Sequence, residues 1–258
     1  MIKKAVYSYK LIDDYWKGQS ETFYKLARLS LKLAKRHYKT VLYCDRRTDR
    51  NFKENDLYFD EVVILNSLRD VNEHTYGLAK IYAMMEQNEP YIMLDLDTLI
   101  FEPIITPHTI TYGYKEGEPE NIAGTRYINN YYLNSYEEFK DRIDIQLDWL
   151  TFPNNSLVAV NNPFIVKKMY EKILKIMNGD WTKSSVQFYE QFLLYNYLHY
   201  YKTDIGFLYE YSPFAEQLES YDINNALAKK FVHLDFYFRQ PKSHILIDEI
   251  EEHTKIIV

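Results

Sequence analysis

Pro90-Tyr-Ile-Met-Leu-Asp-Leu-Asp-Thr-Leu-Ile-Phe101 sets two aspartates, one leucine apart, inside a run of large apolar residues. The flanks Tyr91 to Leu94 and Leu99 to Phe101 have the length and apolarity of a strand buried on both faces. Asp95 and Asp97 are therefore expected where that strand leaves the sheet, the place where open α/β sheets bind ligands. On an extended backbone residues i and i+2 point to one side, about 7 Å apart, so both carboxylates reach one object. Two ionised carboxylates this close repel by a few kcal/mol at an effective dielectric of about 20, which calls for a positive partner. A hard divalent cation with phosphate oxygens as further ligands fits, because magnesium and manganese accept a few carboxylates and leave positions open for substrate. The competing reading is an N-cap or a solvated turn, since Asp-x-Asp is a common tripeptide, and the buried flanks favour a site.

Working outward toward the amino terminus, Lys4 to Tyr9 reads as a first strand and is followed by a polar loop through Gly18. A helix from about Glu21 to Tyr38, capped by Ser20, presents Phe23, Leu26, Ala27, Ser30, Leu33 and Ala34 on one face. Val41 to Cys44 and Glu61 to Leu65 are two more strands, with Arg46 to Asn55 between them as a polar loop. A helix with Leu78, Ile81, Tyr82 and Met85 on one face leads into the Asp-Leu-Asp strand. This order predicts a parallel α/β sheet. No glycine-rich turn follows the first strand, so the dinucleotide fingerprint is absent.

Toward the carboxyl terminus the pattern loosens. Residues 106 to 149 lack strong periodicity and carry Tyr127, Tyr131, Tyr132 and Tyr136, which reads as an excursion over the site. A strand is expected within Asn154 to Asn161 and an amphipathic helix from Phe164 to Met177, closed by Asn178-Gly179. Ser184 to Tyr201 is apolar nearly all round, a buried helix containing Glu190 and Gln191, and a carboxylate there needs a partner. A strand around His233 and an acidic tail end the chain.

Composition sets bounds. The 258 residues contain no linker-like stretch, so one domain spanning 1–258 is expected. A net charge of −6 without a basic stripe argues against a nucleic-acid partner. The single cysteine, Cys44, excludes an internal disulfide and fits a reducing, cytoplasmic setting; no run is long enough for a transmembrane segment or a secretory signal. The 26 tyrosines suit stacking on sugars or bases, although an AT-rich genome would also produce them.

With these pieces placed, the sequence resembles GT-A-fold glycosyltransferases, particularly the retaining group that includes glycogenin and bacterial lipopolysaccharide galactosyl- and glucosyltransferases. The resemblance implies a nucleotide-diphospho-sugar transferase fold with a Rossmann-like, mostly parallel central sheet flanked by helices. It implies that Asp95 and Asp97 hold Mn2+ (or Mg2+) on the diphosphate of a nucleoside-diphosphate sugar, a UDP-sugar by default. Lys80 stands where a donor-binding arginine is usual, and Tyr7 is added as a donor-binding candidate. Pro153-Asn-Asn-Ser-Leu-Val matches a Phe-Asn-x-Gly-Val strand, with Leu157 in place of glycine, and makes Asn154 and Asn155 acceptor candidates. Glu190-Gln191 is similar to an Asp-Gln pair that faces the donor sugar and implies catalytic roles for both. His233 and Lys242 resemble a His-x-x-Gly-x-x-Lys segment, with longer spacing and no glycine, and would supply a third metal ligand and a phosphate contact. The partners implied are a nucleotide-sugar donor and a glycan or other hydroxyl acceptor. Two other readings compete. One is a haloacid-dehalogenase-like phosphohydrolase, from Leu94-Asp-Leu-Asp-Thr-Leu and an acidic segment Ile245 to Glu249. The other is a non-catalytic nucleotide-sugar-binding module.

Overall fold

The computed structural model describes residues 2–12, 21–69, 71, 76–115, 132–179, 188–210, 228, 230–234 and 243–256. Ser20, Tyr127, Tyr131 and Lys242 lie outside them. Chain order begins β1 (Lys4–Tyr9), α1 (Glu21–Ala34), β2 (Lys39–Cys44), α2 (Arg46–Glu54), β3 (Glu61–Ile64), α3 (Leu78–Met85) and β4 (Tyr91–Leu94). It continues with β5 (Thr98–Ile100), β6 (Ile110–Tyr112), α4 (132–139), β7 (Leu157–Val160), α5 (Pro163–Met177), a π-turn (Phe188–Leu193), α6 (Leu194–Tyr200), β8 (Ile205–Phe207), β9 (Phe231–His233) and α7 (Ser243–Ile256).

The main sheet has strand order β3-β2-β1-β4-β7-β6-β8, in which β7 alone runs against its neighbours. The expected architecture, a mostly parallel sheet flanked by helices, is the one observed. The chain builds outward from β1 through β2 to β3, then returns on the opposite side of β1 to form β4. That reversal makes the β1/β4 boundary a topological switch point, the place where open α/β sheets generally bind ligands. Asp95 is the first residue beyond β4.

Strand alternation divides the core. Val6, Tyr91, Met93, Val158 and Val160 face α3, α5 and the π-turn, while Ala5, Tyr7, Ile92, Leu94 and Ala159 face α1 and Phe52 of α2. A second, two-stranded sheet pairs β5 with β9, and α1 lies between it and the main sheet. The outer stripe of α1, Leu26, Leu29 and Leu33, packs on Leu99, Val232, Ile247 and Ile250.

Several expectations need correction. The Asp-Leu-Asp stretch is not one strand: β4 and β5 belong to different sheets, and the aspartates occupy the turn between them, closed by Thr98 N–H donating to the Asp95 carbonyl at 3.1 Å. Residues 46 to 54 are helical rather than a loop, because the Asp45 carboxylate caps the helix by accepting from Thr48 N–H at 2.8 Å. Only Thr48 and Phe52 of that helix are buried, so it shows no apolar stripe. The buried face of α3 is Leu78, Ala79, Ile81, Ala83 and Met84, with Tyr82 and Met85 at its margin. The acidic tail is largely the helix α7, anchored by Ile247 and Ile250. Among the described residues no helix is long and apolar enough to cross a membrane.

Candidate metal and donor site

The turn after β4 is held from both sides. Asp95 N–H donates to the Ser156 carbonyl at 2.9 Å, the Thr98 hydroxyl donates to the same carbonyl at 3.2 Å, and Leu234 N–H donates to the Asp97 carbonyl at 3.1 Å. The register pairs Thr98 with His233 across β5 and β9. This brings one ligand atom each from Asp95, Asp97 and His233 within 4.8 Å of one another. The convergence foreseen from the spacing is therefore real, but a turn and a second sheet produce it rather than a shared strand face.

His233 Nδ1 lies at hydrogen-bond distance, 2.8 Å, from the Tyr114 hydroxyl, while Nε2 faces Asp97 Oδ1 at 3.3 Å without a well-aligned hydrogen bond. Asp97 Oδ1 is buried and has no well-formed hydrogen bond among the described residues. A buried carboxylate oxygen in that state is costly unless something else coordinates it. Burial works to raise the Asp97 pKa, but His233, a backbone N–H and Lys80 outweigh it and hold the carboxyl below its usual range. Two carboxylates and an imidazole form an O, O, N donor set of a kind that can hold a divalent cation.

Beside this cluster lies a charge network that is buried at Glu190, mostly buried at Lys80 and partly exposed at Asp95. Lys80, on the first turn of α3, places Nζ 2.7 Å from Asp95 Oδ1, 3.3 Å from Glu190 Oε1 and 3.0 Å from the Asn155 carbonyl. These three acceptors occupy all three ammonium donors. Burial opposes the charge on Lys80, yet Asp95 and Glu190 overcome it and drive its pKa well above the usual lysine range. The Glu190 pKa also shifts upward, which for a carboxyl disfavours the charged form. Burial raises its pKa, and Asp95 adds to the rise, because a single ammonium cannot fully neutralise two carboxylates. Among the described residues, Asp95, Asp97 and Glu190 outnumber the cationic partners Lys80 and His233 when all are ionised.

Glu190 and Gln191 sit in the π-turn, an i→i+5 turn of the kind that accumulates at functional sites because it frees a backbone carbonyl. The Glu190 carbonyl accepts from Tyr170 OH at 2.8 Å and from Asn155 Nδ2 at 2.9 Å. Gln191 Nε2 donates to Tyr132 OH at 2.8 Å. Of the regular helix expected across Ser184 to Tyr201, 184–187 lie outside the described residues, 188–193 form the π-turn that carries Glu190 and Gln191, and Leu194–Tyr200 is regular helix.

The other candidates fall differently. Asn155 is 1% exposed and turned inward, its Nδ2 also 3.1 Å from Glu190 Oε1. Asn154 is likewise buried, its side chain accepting from Ser156 N–H at 2.8 Å. The structure joins Asn155 to the carboxylate network rather than to an open acceptor face. Tyr7 is not brought to the cluster: its ring is fully buried in the opposite core, edge-on to Phe59 at 5.4 Å. Tyr114 and Tyr170 were missed. Nothing in the local sequence marks Tyr114, which lies 119 residues from the histidine it contacts.

No protein-family model matches the chain, and no curated protein matches it. Among solved structures it is similar to the inositol-1-phosphate CTP transferase from T. maritima, with 10% identity, a TM-score of 0.48 and coverage of 97% of each chain. It is also similar to the PaToxG glycosyltransferase, with 13% identity and a TM-score of 0.45 over 78% of this chain and 69% of that one. The glycosyltransferase GlyE of Streptococcus pneumoniae TIGR4 gives 11% identity and 0.38 over 80% of this chain and 45% of its own. Likeness at this level is one of coarse topology, and the functional reading rests on the residues of the site.

Proposed function

We propose that this chain is a metal-dependent glycosyltransferase that moves a sugar from a nucleoside-diphosphate donor, first among them a UDP-sugar, to a hydroxyl acceptor with retention, in the manner of the glycogenin and lipopolysaccharide hexosyltransferase group. The observation that carries the reading is the meeting of Asp95, Asp97 and His233, drawn from two separate chain segments, at the β1/β4 switch point. Asp95, Asp97 and His233 would hold the metal, and the buried, under-bonded Asp97 Oδ1 fits that task. A bound Mn2+ supplies charge stabilisation to the diphosphate as it leaves.

The chain's own residues account for the rest. In retaining transfer the bond from the anomeric carbon to the diphosphate oxygen breaks, and the acceptor hydroxyl bonds to that carbon on the same face. The hydroxyl proton passes to the departing phosphate oxygen. The protein must shield the opposite face and steady positive charge at the anomeric carbon. Glu190 is held by Lys80 and Asn155, and Gln191 by Tyr132, so both are fixed in direction before substrate arrives. Glu190 is assigned to the donor sugar's hydroxyls, and Gln191 Oε1 to the anomeric centre. Lys80 acts chiefly as the link between the metal-binding aspartate and Glu190, since its donors are already engaged. Lys242, outside the described residues, keeps its assignment as a phosphate contact.

The phosphohydrolase reading loses its distal acid: Ile245 to Glu249 lies within α7, which packs on the far side of α1, and not at a strand end. The test is turnover of a nucleotide-sugar panel with Mn2+, with product anomer read by NMR. The proposal expects a retained anomer from one donor. Inversion would remove the retaining assignment, and p-nitrophenyl phosphate hydrolysis or nucleotidyl transfer from a nucleoside triphosphate to a sugar phosphate would replace the whole reading.

A further inference from the structure

We infer that Tyr114 is a positioning residue that fixes the imidazole of His233 for metal binding; this rests on the metal site proposed above. Tyr114 lies two residues beyond the end of β6 and is buried. Its hydroxyl lies 2.8 Å from His233 Nδ1, on the ring edge opposite the Nε2 that faces Asp97. A metal at Nε2 needs the lone pair there, so the ring proton must reside on Nδ1 and be donated to an acceptor. A phenol oxygen is such an acceptor, and the same hydroxyl donates to Nδ1 when the proton sits on Nε2. Tyr114 therefore satisfies His233 in both tautomers without moving.

The tyrosine itself is clamped. Its backbone carbonyl accepts from Asn154 N–H at 2.9 Å, and its ring stacks on Phe231 at 6.4 Å and 14°. Phe231 in turn stacks on Tyr209 at 5.4 Å. Phe231 and His233 share one short strand, so this column sets the height of the imidazole above the Asp-Leu-Asp turn. Partners that hold a metal-binding histidine through its second nitrogen typically change metal affinity by about 10- to 100-fold when removed.

The test measures Mn2+ affinity of the full chain by electron paramagnetic resonance, without nucleotide, for wild type, Tyr114→Phe, His233→Ala and the double variant. Tyr114→Phe keeps the stacked ring, so its melting temperature is expected to fall by no more than about 10 °C. Binding is read well below all transitions, where every variant is folded. The inference expects Tyr114→Phe to bind Mn2+ about 10- to 100-fold more weakly, and the double variant to bind no more weakly than His233→Ala. Tyr114→Phe binding within about twofold of wild type while His233→Ala is impaired, or two independent losses that add, overturns the inference alone. His233→Ala binding like wild type removes the metal site and the inference with it.

Discussion

Replacing Lys80 with methionine keeps most of the side chain's length and removes its charge, which isolates the electrostatic part of the buried network. In the native protein Nζ touches Asp95 Oδ1 at 2.7 Å and Glu190 Oε1 at 3.3 Å. Both carboxylate oxygens lie within reach of one nitrogen and so stand no more than about 6 Å apart; at an effective dielectric of about 20 they repel by roughly 3 kcal/mol when both are ionised. The Asn155 carbonyl also loses its donor. Removing one member of a buried ion pair generally costs about 3–5 kcal/mol. Protonation of Glu190, whose pKa burial has already raised, limits the loss. We expect about 3 kcal/mol, read by urea denaturation, and on the order of 6–12 °C in melting temperature for a chain of this size. Adding Glu190→Gln should recover part of it, with a coupling of about 1–3 kcal/mol. A Lys80→Met variant within about 1 kcal/mol of wild type, or a strictly additive double variant, would refute the network as drawn.

Other outcomes follow from neighbouring residues. Glu190→Gln and Gln191→Ala should each lower turnover by about 10-fold or more while leaving the protein folded at assay temperature, in keeping with loss of positioned groups near the reacting centre; near-native turnover in both would remove them from the chemistry. Because the Glu190 pKa is raised in the folded state, the stability it contributes is present below its unfolded value of 4.5 and is lost as pH climbs through the higher folded value. The melting difference between wild type and Glu190→Gln should therefore shift against wild type as pH rises across that window, and a pH-independent difference contradicts the assignment. Gly113→Ala would put a Cβ 2.7 Å from Phe231 Cζ, inside a buried stack that has no room to yield, so about 1–3 kcal/mol of destabilisation is expected together with weakened Mn2+ binding through displaced β9.

What the sequence disclosed depended on how local each signal was. The β1 strand and the end of α5 at Asn178 and Gly179 were readable because they rest on short-range pattern and on αL-tolerant residues, at φ 48° and 84°. The break at Asp95 to Asp97 was not, because Leu96 is buried and the apolar run continues through two strands that belong to different sheets. Helix α2 escaped because a side-chain cap rather than an apolar stripe fixes it, and α7 because Ile247 and Ile250 are embedded among acids. The residue types of the site were legible, since two acids in an apolar run and a lone Glu-Gln in a dry helix both demand partners. Their partners were legible only where the resemblance supplied an order. Tyr114 on His233 and Asn155 on Glu190 are contacts between distant segments, which no local pattern encodes.

The claim on which the account stands is that Asp95, Asp97 and His233 bind a divalent metal jointly with a nucleoside diphosphate. Calorimetric titration of UDP into wild type and Asp97→Asn, each with and without Mn2+, tests it directly. The account predicts that wild type binds UDP only when Mn2+ is present and that Asp97→Asn, with an unchanged melting transition, binds it in neither condition. Equal UDP binding by wild type and the folded variant in the presence of Mn2+ would contradict it.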